Sequence, residues 1–130
     1  MRWERLSALA RELPEVEEGI WFRTPALLVR GKSFSRLKED GETVVFLVES
    51  VDEQEFLITA QPEIYFITDH YRGWPAVLAR LEKLNVAECR LRLERAWRKK
   101  APRKLVKELD LARGAKAARP ARSKVSRSRR

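Results

Sequence analysis

The sequence predicts an α+β fold in which amphipathic helices pack on an antiparallel β-sheet. Trp3, Leu6, Leu9, Ala10 and Leu13 recur at three- and four-residue steps, which places them on one helical stripe. Four short apolar runs then fall between residues 19 and 48, separated by turn signals, a spacing suited to hairpins and not to crossover helices. Val86, Cys89, Leu93 and Trp97 make a second helical stripe.

The first helix is expected over Met1–Leu13, with Pro14 stopping it. The strand runs are Gly19–Phe22, Ala26–Val29, Phe34–Leu37 and Val44–Val48, with turns expected at Thr24-Pro25, Gly31-Lys32 and Asp40-Gly41. Ser50 and Glu53 have capping-box spacing, so a helix opens there and runs to Ala60, with Phe56, Leu57 and Ala60 facing inward and Pro62 closing it. Ile64–Thr68 reads as a strand apolar on both faces. Trp74–Leu81 is ambiguous: Pro75 at a first helical position and the periodicity lean towards helix, while Val77, Ala79 and Leu81 alternate as in a strand. Asn85 and Glu88 repeat the capping pattern before the second stripe, and Arg98, Lys99 and Lys100 lie in that helix's last turn, where cations complement the helix dipole. After Pro102, the residues Leu105, Leu109 and Ala112 suggest a short helix ending at Gly114.

With 130 residues the chain is long enough for one domain and a tail. No run approaches the length of a membrane span, and the N-terminus lacks the apolar stretch of a signal peptide. A single cysteine leaves no internal disulfide and no multi-cysteine zinc site, so a reducing cytoplasmic setting is expected. The formal charge of +9 is unevenly placed. Residues 1–97 carry 14 Lys+Arg against 17 Asp+Glu, and residues 98–130 carry 14 against 2. The body is therefore slightly acidic and the last quarter strongly basic, an asymmetry that suits a polyanion partner. Residues 114–130 hold one branched aliphatic and no aromatic, too little apolar surface to offset the entropy of ordering, so this segment reads as disordered. It is either a phosphate-seeking arm or a solubilising tail.

Chemistry has few footholds. His70 is the only histidine, without the spacing of a metal site, and no metal or other cofactor is expected. Cys89 falls on an apolar stripe and reads as a small buried hydrophobe. Gly31-Lys32-Ser33 matches only the end of a phosphate loop and serves equally as a hairpin turn. Acid pairs such as Glu17-Glu18 read as solvated faces. The run Asp69-His70-Tyr71-Arg72-Gly73-Trp74 mixes aromatics, a cation and a glycine between ordered elements. It is either a functional loop or a place where Tyr71 and Trp74 anchor the core. Arg30, Lys32 and Arg36 surround the turn at Gly31; Arg30 and Lys32 share a strand parity and so project on one side. They form a small cationic face with Arg72, or a charged edge that discourages sheet aggregation.

Several short motifs in order also resemble the MmcQ/YjbR family. These are Leu13-Pro14 with Glu17-Glu18, Phe22-x-x-Pro25-Ala26, and Val29-Arg30-Gly31-Lys32-x-Phe34-Ser35-Arg36-Leu37. Pro62-Glu63, then Thr68-x-His70-Tyr71-x-Gly73-x-Pro75-x-Val77-Leu78-x-Arg80-Leu81, and finally Trp97 with Ala101-Pro102 and Leu105, continue the match. The resemblance, which runs from about Leu6 to Leu105, implies a two-layer α/β sandwich like the type III secretion chaperones, in the order α-β(3)-α-β(2)-α, with Trp74–Leu81 as a strand; with the charge division this gives a domain over residues 1–112 and a basic tail over residues 113–130. It also implies DNA binding, which the family is named for through a proposed double-wing motif. Two departures stand out: Phe46-Leu47-Val48-Glu49 lacks a lysine that the family often carries there, and the tail after Leu111 lies outside the family core.

The expected function is non-enzymatic DNA binding with little sequence specificity, because no helix carries base-reading residues at helical spacing. The expected contacts are Arg30, Lys32, Arg36 and Arg72 on the body. Arg98, Lys99, Lys100, Arg103, Lys104, Arg113, Lys116, Arg119, Arg122 and Lys124 follow towards the C-terminus, with His70, Tyr71, Gly73 and Trp74 as a loop motif. The alternatives are a protein- or peptide-binding module, by analogy with the chaperones, and a small-molecule sensor or enzyme using His70 and Tyr71.

Overall fold

The structure is a computed structural model that describes the backbone of residues 1–122 and the side chains as far as Gly114. Helix α1 (Trp3–Ala10) buries Trp3, Leu6, Leu9 and Ala10, as its stripe requires. It stops before the expected Leu13, which remains buried in a turn whose N–H donates to Ala10 O at 3.0 Å.

Four strands follow: β1 (Val16–Trp21), β2 (Thr24–Val29), β3 (Lys32–Leu37) and β4 (Thr43–Leu47). The first hairpin turns at Phe22-Arg23 and not at the expected Thr24-Pro25, which lie inside β2 opposite Trp21 and Ile20. A two-residue hairpin loop of type I′ takes left-handed backbone at both positions, a twist that matches its strands. Phe22 and Arg23 accordingly have φ of 52° and 66° without a glycine between them. The second hairpin turns at Arg30-Gly31 in the same manner, with φ of 51° and 79°. Asp40-Gly41 turns the third, where Asp40 Oδ1 accepts from the N–H groups of Glu42 at 2.8 Å and Thr43 at 2.9 Å.

Helix α2 (Val51–Ala60) opens on Ser50, whose hydroxyl oxygen accepts from the Glu53 N–H at 3.2 Å. The inward face differs from the expectation. Phe56 is 66% exposed and Ala60 is exposed, while Gln54 and Leu57 are buried. Gln54 takes an interior place because it finds three backbone acceptors there, as set out below. The strand expected over Ile64–Thr68 narrows to β5 (Tyr65–Phe66), and residues Asp69–Tyr71 form a 3-10 turn. The ambiguous segment is strand β6 (Ala76–Arg80), buried over four of its five residues. Pairing on both sides, with β4 and β5, decides against the helical period. Helix α3 (Val86–Lys100) is capped by Asn85 and buries Cys89, Arg92, Leu93, Ala96 and Trp97.

Helix α4 (Arg103–Arg122) runs eight residues past the expected end at Gly114 and crosses the expected boundary at residue 112. Gly114 does not adopt left-handed backbone, so it does not cap the helix. A glycine inside a helix costs about 1 kcal/mol relative to alanine, and the surrounding Ala, Lys and Arg residues are strong helix formers. The disorder expected from residue 114 onward is thus replaced by helix as far as Arg122, and its remainder, residues 123–130, lies outside the described residues.

The strands form one antiparallel sheet in the order β1-β2-β3-β4-β6-β5. Four strands precede α2, where the formula implied by the resemblance has three, and a fourth helix is added. Val44, Phe46, Val77, Ala79 and Tyr65 share the inner face, and they pack with α1, α2, α3 and Leu105 of α4 in the main core. The outer face carries only a small cluster of Val45, Ala76 and Leu78, to which no helix contributes. Among the described residues no helix is long and apolar enough to cross a membrane.

Candidate functional site

The outer face of the sheet becomes a groove of about 820 Å³. Its floor is Val45, Leu47 and Ala76, set by the β4–β6 pairing that puts Val45 opposite Leu78 and Leu47 opposite Ala76. One end is walled by Trp21 and Phe22 on the first hairpin, and the other by Trp74, Lys32, Lys99 and Lys100. His70 and Tyr71 border it from the loop between β5 and β6. The groove follows β3, whose six residues span about 17–20 Å.

Four cations line this groove, Lys32, Arg36, Lys99 and Lys100, and among the described residues no carboxylate does. A further cavity of about 620 Å³ is lined by Arg2 and Arg80 but also by Glu4, Asp40, Glu42 and Glu82. Of these two, the first has the more positive lining among the described residues.

Arg36 organises the groove more than it decorates it. Its side chain is largely covered, donating from Nη1 to Thr24 Oγ1 at 3.3 Å and from Nη2 to Tyr71 Oη at 3.4 Å. Its guanidinium also lies 5.4 Å from the centroid of the Phe22 ring, within cation–π range. One arginine thus joins the hairpin aromatics to the loop aromatics. Lys38 Nζ sits 5.4 Å from the centroid of the Tyr71 ring. The Phe22 ring meets Trp21 edge-on at 6.0 Å, and His70 meets Tyr71 edge-on at 5.3 Å.

The loop that carries Trp74 is held from beneath. Gln54 Nε2 donates towards the carbonyl oxygens of Tyr71 at 3.1 Å, Trp74 at 2.7 Å and Ala76 at 2.7 Å. Gly73 turns the loop with φ of 81°, and the Trp74 N–H donates back to Tyr71 O at 3.0 Å. The ring of Trp74 stays 65% exposed, Phe22 71% and Trp21 42%.

The residues expected to contact DNA separate into three groups. Lys32, Arg36, Lys99 and Lys100 meet in the groove, with His70, Tyr71 and Trp74 of the loop motif. Gly73 sets the turn. Arg30 does not share a face with Lys32, because it lies in the turn and not in the strand, and it pairs with Glu15 at 2.5 Å. That contact holds the Glu15 carboxyl below its usual range. Arg72 pairs with Asp69 at 2.9 Å and is not part of the groove lining. Arg98 is bound by Asp110 at 2.7 Å and Glu94 at 2.9 Å, and Arg113 by Glu94 at 2.6 Å. Part of the basic C-terminal quarter is therefore matched to carboxylates of α3 and α4. Arg103 and Lys104 are exposed on α4. Lys116, Arg119 and Arg122 lie on the same helix with side chains outside the described residues, as is Lys124 altogether.

Sequence reasoning missed Trp21 and Phe22 as surface features and treated them as strand filling. Only their adjacency to a turn hinted otherwise. The remaining reactive groups stay apart. Cys89 is buried on its stripe, and burial pushes its thiol up to about 12. Among the described residues no three His, Cys, Asp or Glu side chains gather as a metal site would need. Behind the sheet, Glu53 binds Arg92 at 3.3 Å and Arg95 at 3.1 Å, and Tyr65 donates to Glu88, a network that ties α2 and β5 to α3.

The chain is 42% identical over 50 residues to uncharacterized protein Rv2570 of Mycobacterium tuberculosis (strain ATCC 25618 / H37Rv). The same identity holds for uncharacterized protein Mb2600 of Mycobacterium bovis (strain ATCC BAA-935 / AF2122/97). Each match covers 38% of this chain and spans 39% of the length of the relative. The model of the YjbR family matches residues 11–99, which takes in the whole sheet and nearly all of α3, and the chain belongs to the YjbR family.

Proposed function

We propose that this protein is a non-enzymatic, largely sequence-non-specific DNA-binding protein whose contact surface is the outer-face groove. The observation that carries the reading is the gathering of Lys32, Arg36, Lys99 and Lys100 along one groove whose lining includes no carboxylate, with Glu39 at 4.0 Å from Arg36 and Glu49 at 3.8 Å from Lys99 outside that lining, on a body whose first 97 residues are net acidic. A phosphate backbone laid there replaces the counterions of these cations and releases its own, which favours binding entropically. The basic stretch beyond Gly114 adds further phosphate contacts, while Arg30, Arg72, Arg98 and Arg113 contribute less than their charge in the sequence suggests, since each holds a carboxylate at 2.5–2.9 Å, closer than Arg36 to Glu39 or Lys99 to Glu49.

The test is a salt titration of the full chain on labelled DNA. With about four to six phosphates engaged, log K falls against log salt with a slope of about −4 to −5. The double substitution Lys32→Glu with Lys100→Glu weakens binding at every sequence tried. Absence of binding, or binding indifferent to salt, overturns the reading.

A second reading, a peptide-binding module, draws on β1, an edge strand whose Ile20 is 68% exposed and open to strand addition. Deletion of residues 114–130 separates the two: a peptide partner is retained, whereas DNA affinity drops.

A further inference from the structure

Resting on that reading, we infer that the groove takes an unpaired nucleic-acid strand in preference to a duplex, with bases stacked on Trp21, Phe22 and Trp74 and the backbone along the cations. The three rings stand open on a surface whose other aromatics are mostly covered, and they sit at the two ends of a cationic channel. A duplex hides the faces of its bases and offers only groove edges and phosphates. A single strand presents every base face, and base–aromatic stacking in a basic groove is the general mode for holding one.

The rings are also held out by devices that do not serve packing. Phe22 projects from a hairpin loop in left-handed backbone, a conformation that disfavours bulky residues and that Asn-Gly would adopt without strain. Arg36 then braces the exposed ring from one side. Trp74 follows the left-handed Gly73 and is fixed through its carbonyl by the buried Gln54. An exposed ring with no binding role needs neither arrangement. At the duplex spacing of ~3.4 Å per strand, the length of β3 accommodates about five nucleotides, fewer if the strand is stretched between the two aromatic ends.

The experiment compares an oligothymidylate of about 15 nucleotides with a duplex of equal length, using the full chain at one salt concentration. The single strand binds at least about tenfold tighter and quenches tryptophan fluorescence, a signal that belongs to Trp21 and Trp74 because Trp3 and Trp97 are buried. Trp74→Ala and Phe22→Ala each weaken single-strand binding by about five- to 150-fold and weaken duplex binding less, so that the preference for the single strand narrows. Trp74→Phe retains most of the affinity. Trp74→Leu, which keeps apolar bulk without a ring face, behaves as the alanine variant does. Equal affinity for both forms with indifferent alanine variants overturns the stacking inference and leaves DNA binding intact. Polyglutamate displacing the oligonucleotide at equal charge also overturns it and points to an acidic peptide. Failure of both nucleic acids to bind overturns the parent reading as well.

Discussion

The side-chain amide of Gln54 donates to the main-chain carbonyl of Trp74 at 2.7 Å. The same nitrogen reaches Ala76 O at 2.7 Å and Tyr71 O at 3.1 Å, so one buried amide gathers a loop, a tryptophan and the first residue of β6. An amide nitrogen has two hydrogens, so the three acceptors share them. The contact makes α2, a helix otherwise unremarkable in composition, responsible for the position of an exposed ring on the opposite side of the sheet.

Gln54→Leu keeps the volume and leaves the carbonyls without their donor. Stranding buried acceptors costs about 1–3 kcal/mol, read as a lowered urea midpoint, with amide exchange accelerating over residues 71–76. Gln54→Glu adds a pH dependence. A carboxylate facing three carbonyl oxygens is disfavoured, so its folded pKa rises above the unfolded value of about 4.3. The variant's stability relative to wild type is then fullest below that value and is lost as pH rises through the folded pKa. Melts across the pH range check this; a deficit that grows towards low pH contradicts it.

The Phe22-Arg23 turn should respond in the opposite direction. Replacing the pair by Asn-Gly relieves two left-handed non-glycine residues, each costing on the order of 1–3 kcal/mol, and raises the unfolding midpoint. The same change removes the ring beneath Arg36 and one stacking surface, so nucleic-acid affinity falls while stability climbs. A variant that is both less stable and equally tight-binding shows that the turn is neither strained nor functional.

Acid should loosen the contact between α2 and α3. Burial alone raises the Glu53 carboxyl, but the Glu49 N–H, Arg92 and Arg95 together outweigh it and hold the group below the ordinary 4.5. A depressed folded pKa gives stability that is present above 4.5 and is lost as pH falls through the folded value. Glu53→Gln leaves Arg92, itself buried, with only its longer contact to Glu88 at 3.7 Å. With Glu88 still beside Arg92, the expected loss stays below the roughly 3 kcal/mol of a fully unpaired buried charge, with a shallower acid limb in the stability profile. An acid limb as steep as wild type's assigns the proton uptake to other carboxylates.

The parts of the fold that were legible in the sequence rest on local signals. Ser50 and Asn85 cap their helices, Asp40-Gly41 turns a hairpin, and Val86, Cys89, Leu93 and Trp97 face the core, because each depends on neighbours within four residues. The misreadings share a non-local cause. Gln54 displaces Phe56 from the interior through acceptors 17 to 22 residues away. Trp74–Leu81 has a helical period, yet two neighbouring strands claim it. Phe22-Arg23 turns without glycine or proline, so composition offers no marker. The groove itself joins β1, β3, β4, β6, α3 and the loop before β6; its cations and the aromatic loop of His70, Tyr71 and Trp74 carried a signal along the chain, while Trp21 and Phe22 did not.

The basic C-terminal quarter is divided by its own carboxylates, and that division can be tested by adding and removing charge. Ending the chain at Gly114 leaves Leu105 buried and the pairs of Arg98 and Arg113 in place, so the melting temperature is expected to hold. The salt slope on DNA becomes shallower by about 0.9 for each phosphate that the shortened chain no longer neutralises. The converse change is Glu94→Gln with Asp110→Asn in the full chain. Both carboxyls lie below their usual range: at Glu94, burial works against the lowering and Arg113 and Arg98 outweigh it, while at Asp110 the Arg98 hydrogen bond dominates. Both acids are therefore ionised at neutral pH and compete with phosphate for the same guanidinium groups. Removing them frees Arg98 and Arg113, steepens the salt slope and tightens binding at low salt. An unchanged slope shows that the α3–α4 junction faces away from the nucleic acid, and confines the contact to the groove and to the chain beyond Gly114.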